Sequence, residues 1–250
     1  MITLRPNATL GSNDREWLKA RLHIAIAGLG NPAHPPIGEL IAWNDDEVAP
    51  LSGFPFHPHQ DVEIVTYVCD GAITHKDSLG NQGTIKAGDL QVMSAGSGIR
   101  HSEWNAEDRS TRMFQIWLTP RHAGGVPRWQ TKTVGMVGGR RQFDVLASGF
   151  EEQDGGPLWI GADARILGGR LAAQGSAVHI LDAGKVVYLV PVRGQVSVNG
   201  ILVNAGDGAL IEGEPAVHVQ ALSATEVVMV EVADPEAGRK EASMQPVLGV

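Results

Sequence analysis

The residues best equipped for chemistry sit in two short stretches, "FHPHQDVE" at 56–63 and "GIRHSEWN" at 98–105. In an extended strand, alternate residues project from one face about 6.6 Å apart. His57 and His59 therefore point the same way, and so do His101 and Glu103. Two such strands facing each other bring three imidazoles and a carboxylate within reach of a divalent first-row ion, at about 2.1 Å from each donor atom. That set leaves coordination positions open for water or substrate, as a catalytic site requires. Glu63 shares the strand parity of His57 and His59, so spacing alone leaves either Glu63 or Glu103 as the carboxylate. Pro58 donates no ladder hydrogen bond, which places its strand at an edge or a barrel mouth. His23, His34, His75 and His122 stand alone. A lone histidine in a β-protein is ordinarily a surface residue or a hydrogen-bonded core residue.

The elements around these stretches read as strands. "EIVTYVCDG", "GTIKAGDLQVM", "MFQIWLTP", "KVVYLVPVRG", "QVSVNGILVNAGDGALI" and "ATEVVMVEV" are short apolar runs rich in β-branched residues and closed by turn residues. With 31 glycines and 14 prolines punctuating the chain, this is the pattern of a sandwich or barrel. Only "NDREWLKARL" has helical character, with Asn13 or Asp14 as a cap, and a strand-flanking loop is its alternative. A faint repeat links "GAITHKDSLGNQGTIKAGDLQVM" from Gly71 to "GQVSVNGILVNAGDGALI" from Gly194. His101 follows Gly88 by 13 residues and His218 follows Gly206 by 12. The chain is therefore expected to be all-β, with two copies of one β-fold in residues 1–130 and 131–250. The Gly- and Arg-rich segment 121–142 is the expected connection. The second copy has lone His179 and His218 and no His-x-His. Gln220 stands two residues after His218, where Glu103 follows His101, so no metal site is expected there.

Composition narrows the function further. The chain has 250 residues, enough for two cores. A net charge of −8, from 20 basic and 28 acidic residues, argues against direct nucleic-acid contact. Cys69 is the only cysteine, so no internal disulfide forms and a reducing, cytoplasmic location is expected. Its expected place is a buried strand. No uncharged apolar run is long enough to span a bilayer, and no membrane role is expected.

"GFPFHPHQDVEIVTYVCDGAITHKDSLGN", "IKAGDLQVMSAGSGIRHSEWN" and "QIWLTP" together resemble the N-terminal half of the pirin family, bicupins that include bacterial pirin-like quercetin 2,3-dioxygenases. The likeness is specific from about Gly53 to Pro120, and the second half is similar in outline. In the wider cupin superfamily the motif pattern nominates Glu63 as the carboxylate. The pirin pattern implies His57, His59, His101 and Glu103 as metal ligands, with Glu63 left to orient an imidazole. Gln60 stands where the family usually places a basic residue, and Pro55 where it usually has glycine.

The resemblance implies a metal-dependent dioxygenase that cleaves a flavonol-like enolic aromatic with dioxygen, with Glu103 as the catalytic proton acceptor. It implies one divalent ion, Fe(II) first, with Mn, Ni, Co, Cu and Zn also compatible with a mixed nitrogen and oxygen set. Its alternative is a metal-bearing protein-binding module, a pirin-like regulator that meets a protein partner without turnover.

Overall fold

The computed structural model describes residues 1–134, 141–150 and 155–237. Among the described residues the elements are strands and one short 3-10 turn, Asn7–Thr9. They build two sheet pairs. In the first, a seven-stranded sheet runs in the order Arg128–Thr133, Asp89–Ser94, Glu63–Asp70, Thr111–Leu118, Leu40–Val48, Leu18–Leu22 and Gly11–Ser12. A four-stranded sheet, in the order Ser52–His59, Ile99–Asn105, Ala72–Asp77 and Gln82–Lys86, closes the barrel.

The second pair repeats this plan. Its large sheet runs Ile2–Arg5, Gly208–Ile211, Lys185–Arg193, Thr225–Ala233, Arg165–Leu171, Asp144–Ser148 and Leu158–Trp159. Its small sheet runs Ser176–Ile180, Ala216–Ala221, Gln195–Val198 and Ile201–Asn204. The chain's first strand, Ile2–Arg5, thus pairs with Gly208–Ile211 of the second barrel. Strand Arg128–Thr133 runs through the expected boundary at 130/131 and pairs with Asp89–Ser94 of the first. That strand also occupies part of the expected connection at 121–142, whose residues 135–140 lie outside the described residues.

The segment with helical character holds no helix: residues 13–17 form the strand-flanking loop of the alternative reading, and Leu18–Leu22 is a strand. Leu18, Ala20 and Leu22 are buried while Lys19 and Arg21 face outward, a period of two that propensity alone does not show. Strand pairing to Leu40–Val48 fixes it.

Alternation within the large sheets creates two kinds of core. Val65, Tyr67 and Cys69, with Phe114 and Ile116, face the other barrel and pack with Trp43, Tyr188, Val190, Val228 and Val230. Trp43 meets Tyr188 edge-on at 5.5 Å between ring centroids, so one apolar layer joins the two halves. Arg112 ties the halves as well, with both Asp45 oxygens at 2.7 and 2.6 Å and the Val192 carbonyl at 2.7 Å.

The opposite faces line the barrel interiors, and here the halves differ. In the first, Gln91, Thr66, Gln115 and Asn44 stand side by side across four neighbouring strands. Counting three residues on from Gly88 and from Gly206 aligns Gln91 with Ala209. The corresponding row in the second barrel is Ala209, Leu189, Met229 and Leu167. That interior is filled by one apolar cluster, into which Val217 and Val219 point while His218 and Gln220 face outward. The first barrel instead has apolar ends and a polar middle, set by the row of amides and hydroxyl.

Candidate metal centre

Strand Ser52–His59 is an edge strand, as Pro58 requires, and it pairs antiparallel with Ile99–Asn105. The register sets His57 opposite His101 and His59 opposite Ile99. All three imidazoles gather at one spot. Their ligand atoms lie within 4.8 Å of one another, and Nε2 of His57 is 3.1 Å from Nε2 of His101.

Between His101 and Glu103 a bulge breaks the register, so that Glu103 lies opposite Phe54. The bulge brings the chains very close. A Cβ on Gly53 would stand 2.2 Å from the Glu103 carbonyl oxygen and 2.8 Å from the Trp104 Cα, and only glycine accommodates that approach. Glu103 is buried in the barrel, where its carboxylate accepts from Thr66 Oγ1 at 3.1 Å, Gln91 Nε2 at 3.0 Å and the Gln115 amide. Three members of the polar row on the opposite sheet, Thr66, Gln91 and Gln115, thus converge on this one side chain. Glu103 does not fall within the limit that unites His57, His59 and His101. It forms an overlapping set with His101 and His75.

The donor chemistry fits a divalent ion. His57 Nδ1 lies 2.8 Å from the Pro55 carbonyl, which only an N–H satisfies, so in the neutral imidazole Nε2 is the bare nitrogen. His59 Nε2 is buried without a protein partner. Burial first, then the neighbouring imidazoles, holds His59 down at about 4 and His101 at about 3. Both are therefore neutral near pH 7, the form that binds metal. Trp117 packs edge-on against His59 at 5.0 Å, walling one side of the centre. Beside His59 opens a cavity of about 400 Å³, lined by Pro58, Gln60, Ser78, Gly98, Ile99 and Arg100.

Glu63 is elsewhere. After His59 the chain turns through Asp61, whose φ is 51°, and Glu63 starts a strand of the other sheet. The strand parity that linked Glu63 to the histidines ends at that turn. Its carboxylate accepts from Ser94 Oγ at 2.7 Å and from the Gly161 N–H, in a cleft between the barrels with Arg128 and Trp159. Burial raises its pKa against those hydrogen bonds. Among the described residues Glu63 touches no imidazole of the centre, in contrast to the expected role of orienting one.

Sequence reasoning passed over several neighbours of the centre. His75 belongs beside His101 and Glu103, and its signal was the His75-x-Asp77 spacing, the same i, i+2 pattern as the two motifs. Asp46 is fully buried near Glu103; burial and the charges of Asp45 and Glu103 push its carboxyl well above the usual range. The other lone histidines follow expectation in part: His23 is a core residue bonded to the Tyr188 hydroxyl at 2.9 Å, and His122 is exposed. His34 is buried. Cys69 is a free thiol in the core, as its strand implied. In the second barrel His179 pairs with Glu231 at 2.6 Å, and Arg165 shares that carboxylate. Burial opposes ionisation of Glu231, but these partners outweigh it and hold its pKa low.

Comparison with known proteins matches this architecture half by half. The Pirin family model covers residues 5–118, and the model of the quercetinase C-terminal cupin domain covers 145–232. A pirin-like protein of Caulobacter vibrioides is 48% identical over 233 residues, covering 93% of this chain and 100% of its own. The chain belongs to the pirin family. A quercetin 2,3-dioxygenase of Escherichia coli K12 is 34% identical over 230 residues, covering 92% of this pirin and 97% of the relative. The crystal structure of the bacterial pirin YhhW from Escherichia coli in complex with nickel(II) superposes with a TM-score of 0.86 at 31% identity, covering 94% of this chain and 100% of that one. The bicupin fold that the pirin resemblance implies, with the two β-units expected from the repeat, is the fold observed. No helix among the described residues is long and apolar enough to cross a membrane.

Proposed function

We propose that this pirin is a metal-dependent dioxygenase acting on flavonol-like enolic aromatics, with one divalent ion held by His57, His59, His101 and Glu103. The observation that carries the reading is the convergence of three imidazoles, one with a buried nitrogen that has no protein partner, beside an open cavity. The names of the Escherichia coli dioxygenase and of the nickel-bound pirin support it. Fe(II) is the first candidate, and Mn, Ni, Co, Cu and Zn suit the same donors.

A bound divalent ion supplies Lewis acidity that lowers the pKa of an enolic hydroxyl. The protein's own groups do the rest. Glu103 accepts the hydroxyl proton, and Thr66, Gln91 and Gln115 hold its carboxylate in place. Pro55 fixes the His57 ring through its carbonyl, and Trp117 restrains His59. The cavity at Gln60, Ser78 and Arg100 receives the aromatic substrate and dioxygen. We place the protein in the cytoplasm.

The test is oxygen uptake with an aromatic panel, on protein of measured metal content, against a His57→Ala, His59→Ala double variant. Metal-loaded wild type that turns over nothing would reassign the site to a metal-bearing protein-binding module.

A further inference from the structure

His75 is fully buried on strand Ala72–Asp77 and stands opposite Glu103 in the register. Its ring lies 5.4 Å from that of His101, and ligand atoms of His75, His101 and Glu103 come within 4.8 Å of one another. Asp77 Oδ2 lies 3.3 Å from His75 Nε2. That carboxylate is itself held by the Asn81 side chain at 2.8 Å and by the N–H groups of Leu79 and Asn81 at 2.9 and 3.0 Å. A carboxylate so surrounded by donors accepts, which puts a proton on His75 Nε2 and, in the neutral imidazole, leaves Nδ1 bare.

The ring cannot turn away easily. It stacks on Trp129 with centroids 5.1 Å apart and planes 11° from parallel. Trp129 Nε1 donates to Gln91 Oε1 at 2.8 Å, and Gln91 in turn donates to Glu103. Yet Nδ1 of His75 is buried without a partner, and Nδ1 of His101 is in the same condition. Buried polar atoms ordinarily find partners.

We propose that His75 is a positioning residue of the metal centre, accepting the Nδ1–H of His101 when the His101 Nε2 lone pair is turned toward the ion. This rests on the reading that His57, His59, His101 and Glu103 hold a metal. Ion binding through Nε2 forces the His101 proton onto Nδ1, where it needs an acceptor, and the bare nitrogen of His75 is the buried acceptor at hand. The two orphaned atoms then satisfy each other in a chain running from Asp77 through His75 to His101. Such outer partners of metal-bound histidines fix tautomer and orientation, and their loss lowers metal affinity about 10 to 100-fold.

The experiment measures Ni(II) affinity of the full chain by chelator competition for wild type, His75→Phe and His75→Gln, and reads the His101 tautomer by ¹⁵N NMR of the Zn(II)-loaded protein. His75→Phe keeps a ring against Trp129 and removes the acceptor, so it should bind nickel about 10 to 100-fold more weakly. His75→Gln keeps an amide oxygen for His101 and an amide N–H for Asp77, and should recover most of the loss. Zinc-loaded wild type should show His101 protonated at Nδ1, with a hydrogen-bonded proton that His75→Phe loses. Wild-type nickel affinity in His75→Phe, or His101 protonated at Nε2 in the zinc form, would overturn the inference; the wild-type tautomer decides even where His75→Phe does not fold. Wild type with no nickel affinity refutes the metal reading and the inference with it.

Discussion

His57 and His101 are direct partners across an antiparallel strand pair, Nε2 facing Nε2 at 3.1 Å. One residue beyond His101 the register breaks, and Glu103 swings into the barrel to meet Thr66, Gln91 and Gln115. The centre is thus two constructions joined at a bulge. Two half-buried histidines of the edge strand meet a buried histidine of its neighbour, and a carboxylate is gripped from within.

That division predicts different fates for the two acidic residues first weighed as ligands. Glu103→Gln should weaken metal binding by more than the about 10 to 100-fold usual for an outer partner. Glu63→Gln, changed in the cleft between the barrels, should leave metal binding in place. Chelator competition on both variants checks this. If Glu63→Gln lost the metal and Glu103→Gln kept it, the carboxylate would have to be reassigned.

The bulge depends on Gly53. A methyl group there meets the Glu103 carbonyl oxygen at 2.2 Å, so backbone rather than a flexible side chain has to move. Gly53→Ala should destabilise the fold by about 1 to 3 kcal/mol, the usual cost of overpacking. It should also reduce metal affinity, because the displaced strand carries Glu103. A urea titration and a metal-binding isotherm with wild-type values in both would refute this account of the bulge.

The two histidine motifs were legible because a strand has period two and both pairs lie inside single strands. The same rule misled at Glu63, where the turn at Asp61 uses a left-handed conformation without a glycine to announce it. Leu18 and Leu22 are four apart, a spacing that helix and strand both place on one side, and only the burial of Ala20 between them decides for the strand. The polar interior was hidden for another reason. Thr66, Gln91 and Gln115 are single polar residues inside three separate apolar runs, and only the register of neighbouring strands makes them a row. His75 reads as solitary until the pairing of Ala72–Asp77 with Ile99–Asn105 sets it against Glu103.

Acid should weaken the joint between the barrels through His23. Burial first, then the charges of Arg5, His34 and Arg112, lowers its pKa from 6.5 to about 3. The folded protein keeps this ring neutral while the unfolded chain takes up a proton below pH 6.5. The contribution is therefore intact above 6.5 and is lost as pH falls toward 3. At about 1.4 kcal/mol per pH unit, wild type should lose about 2 kcal/mol from this source between pH 6.5 and 5. His23→Gln should be spared that loss, whatever its starting stability. Urea midpoints for both proteins at the two pH values check it, and parallel slopes would contradict it.

Substrate selection should follow chelation more than shape. The cavity beside His59 is open and lined by short or flexible groups, Ser78, Gly98, Gln60 and Arg100 among them. Even apolar contacts discriminate by only about 1 to 3 kcal/mol per methylene-sized difference, so several planar aromatics should be accepted. An acidic hydroxyl beside a carbonyl is a stricter requirement, because it supplies both the proton for Glu103 and an anionic oxygen for a Lewis acid. A flavonol bearing the 3-hydroxyl should therefore consume oxygen with the metal-loaded protein, and the flavone that lacks only that hydroxyl should not. The His57→Ala, His59→Ala variant should be inactive with both, since the edge-strand donors are gone. Equal turnover of flavonol and flavone, or undiminished turnover by the double variant, would show that the reaction does not run through these residues.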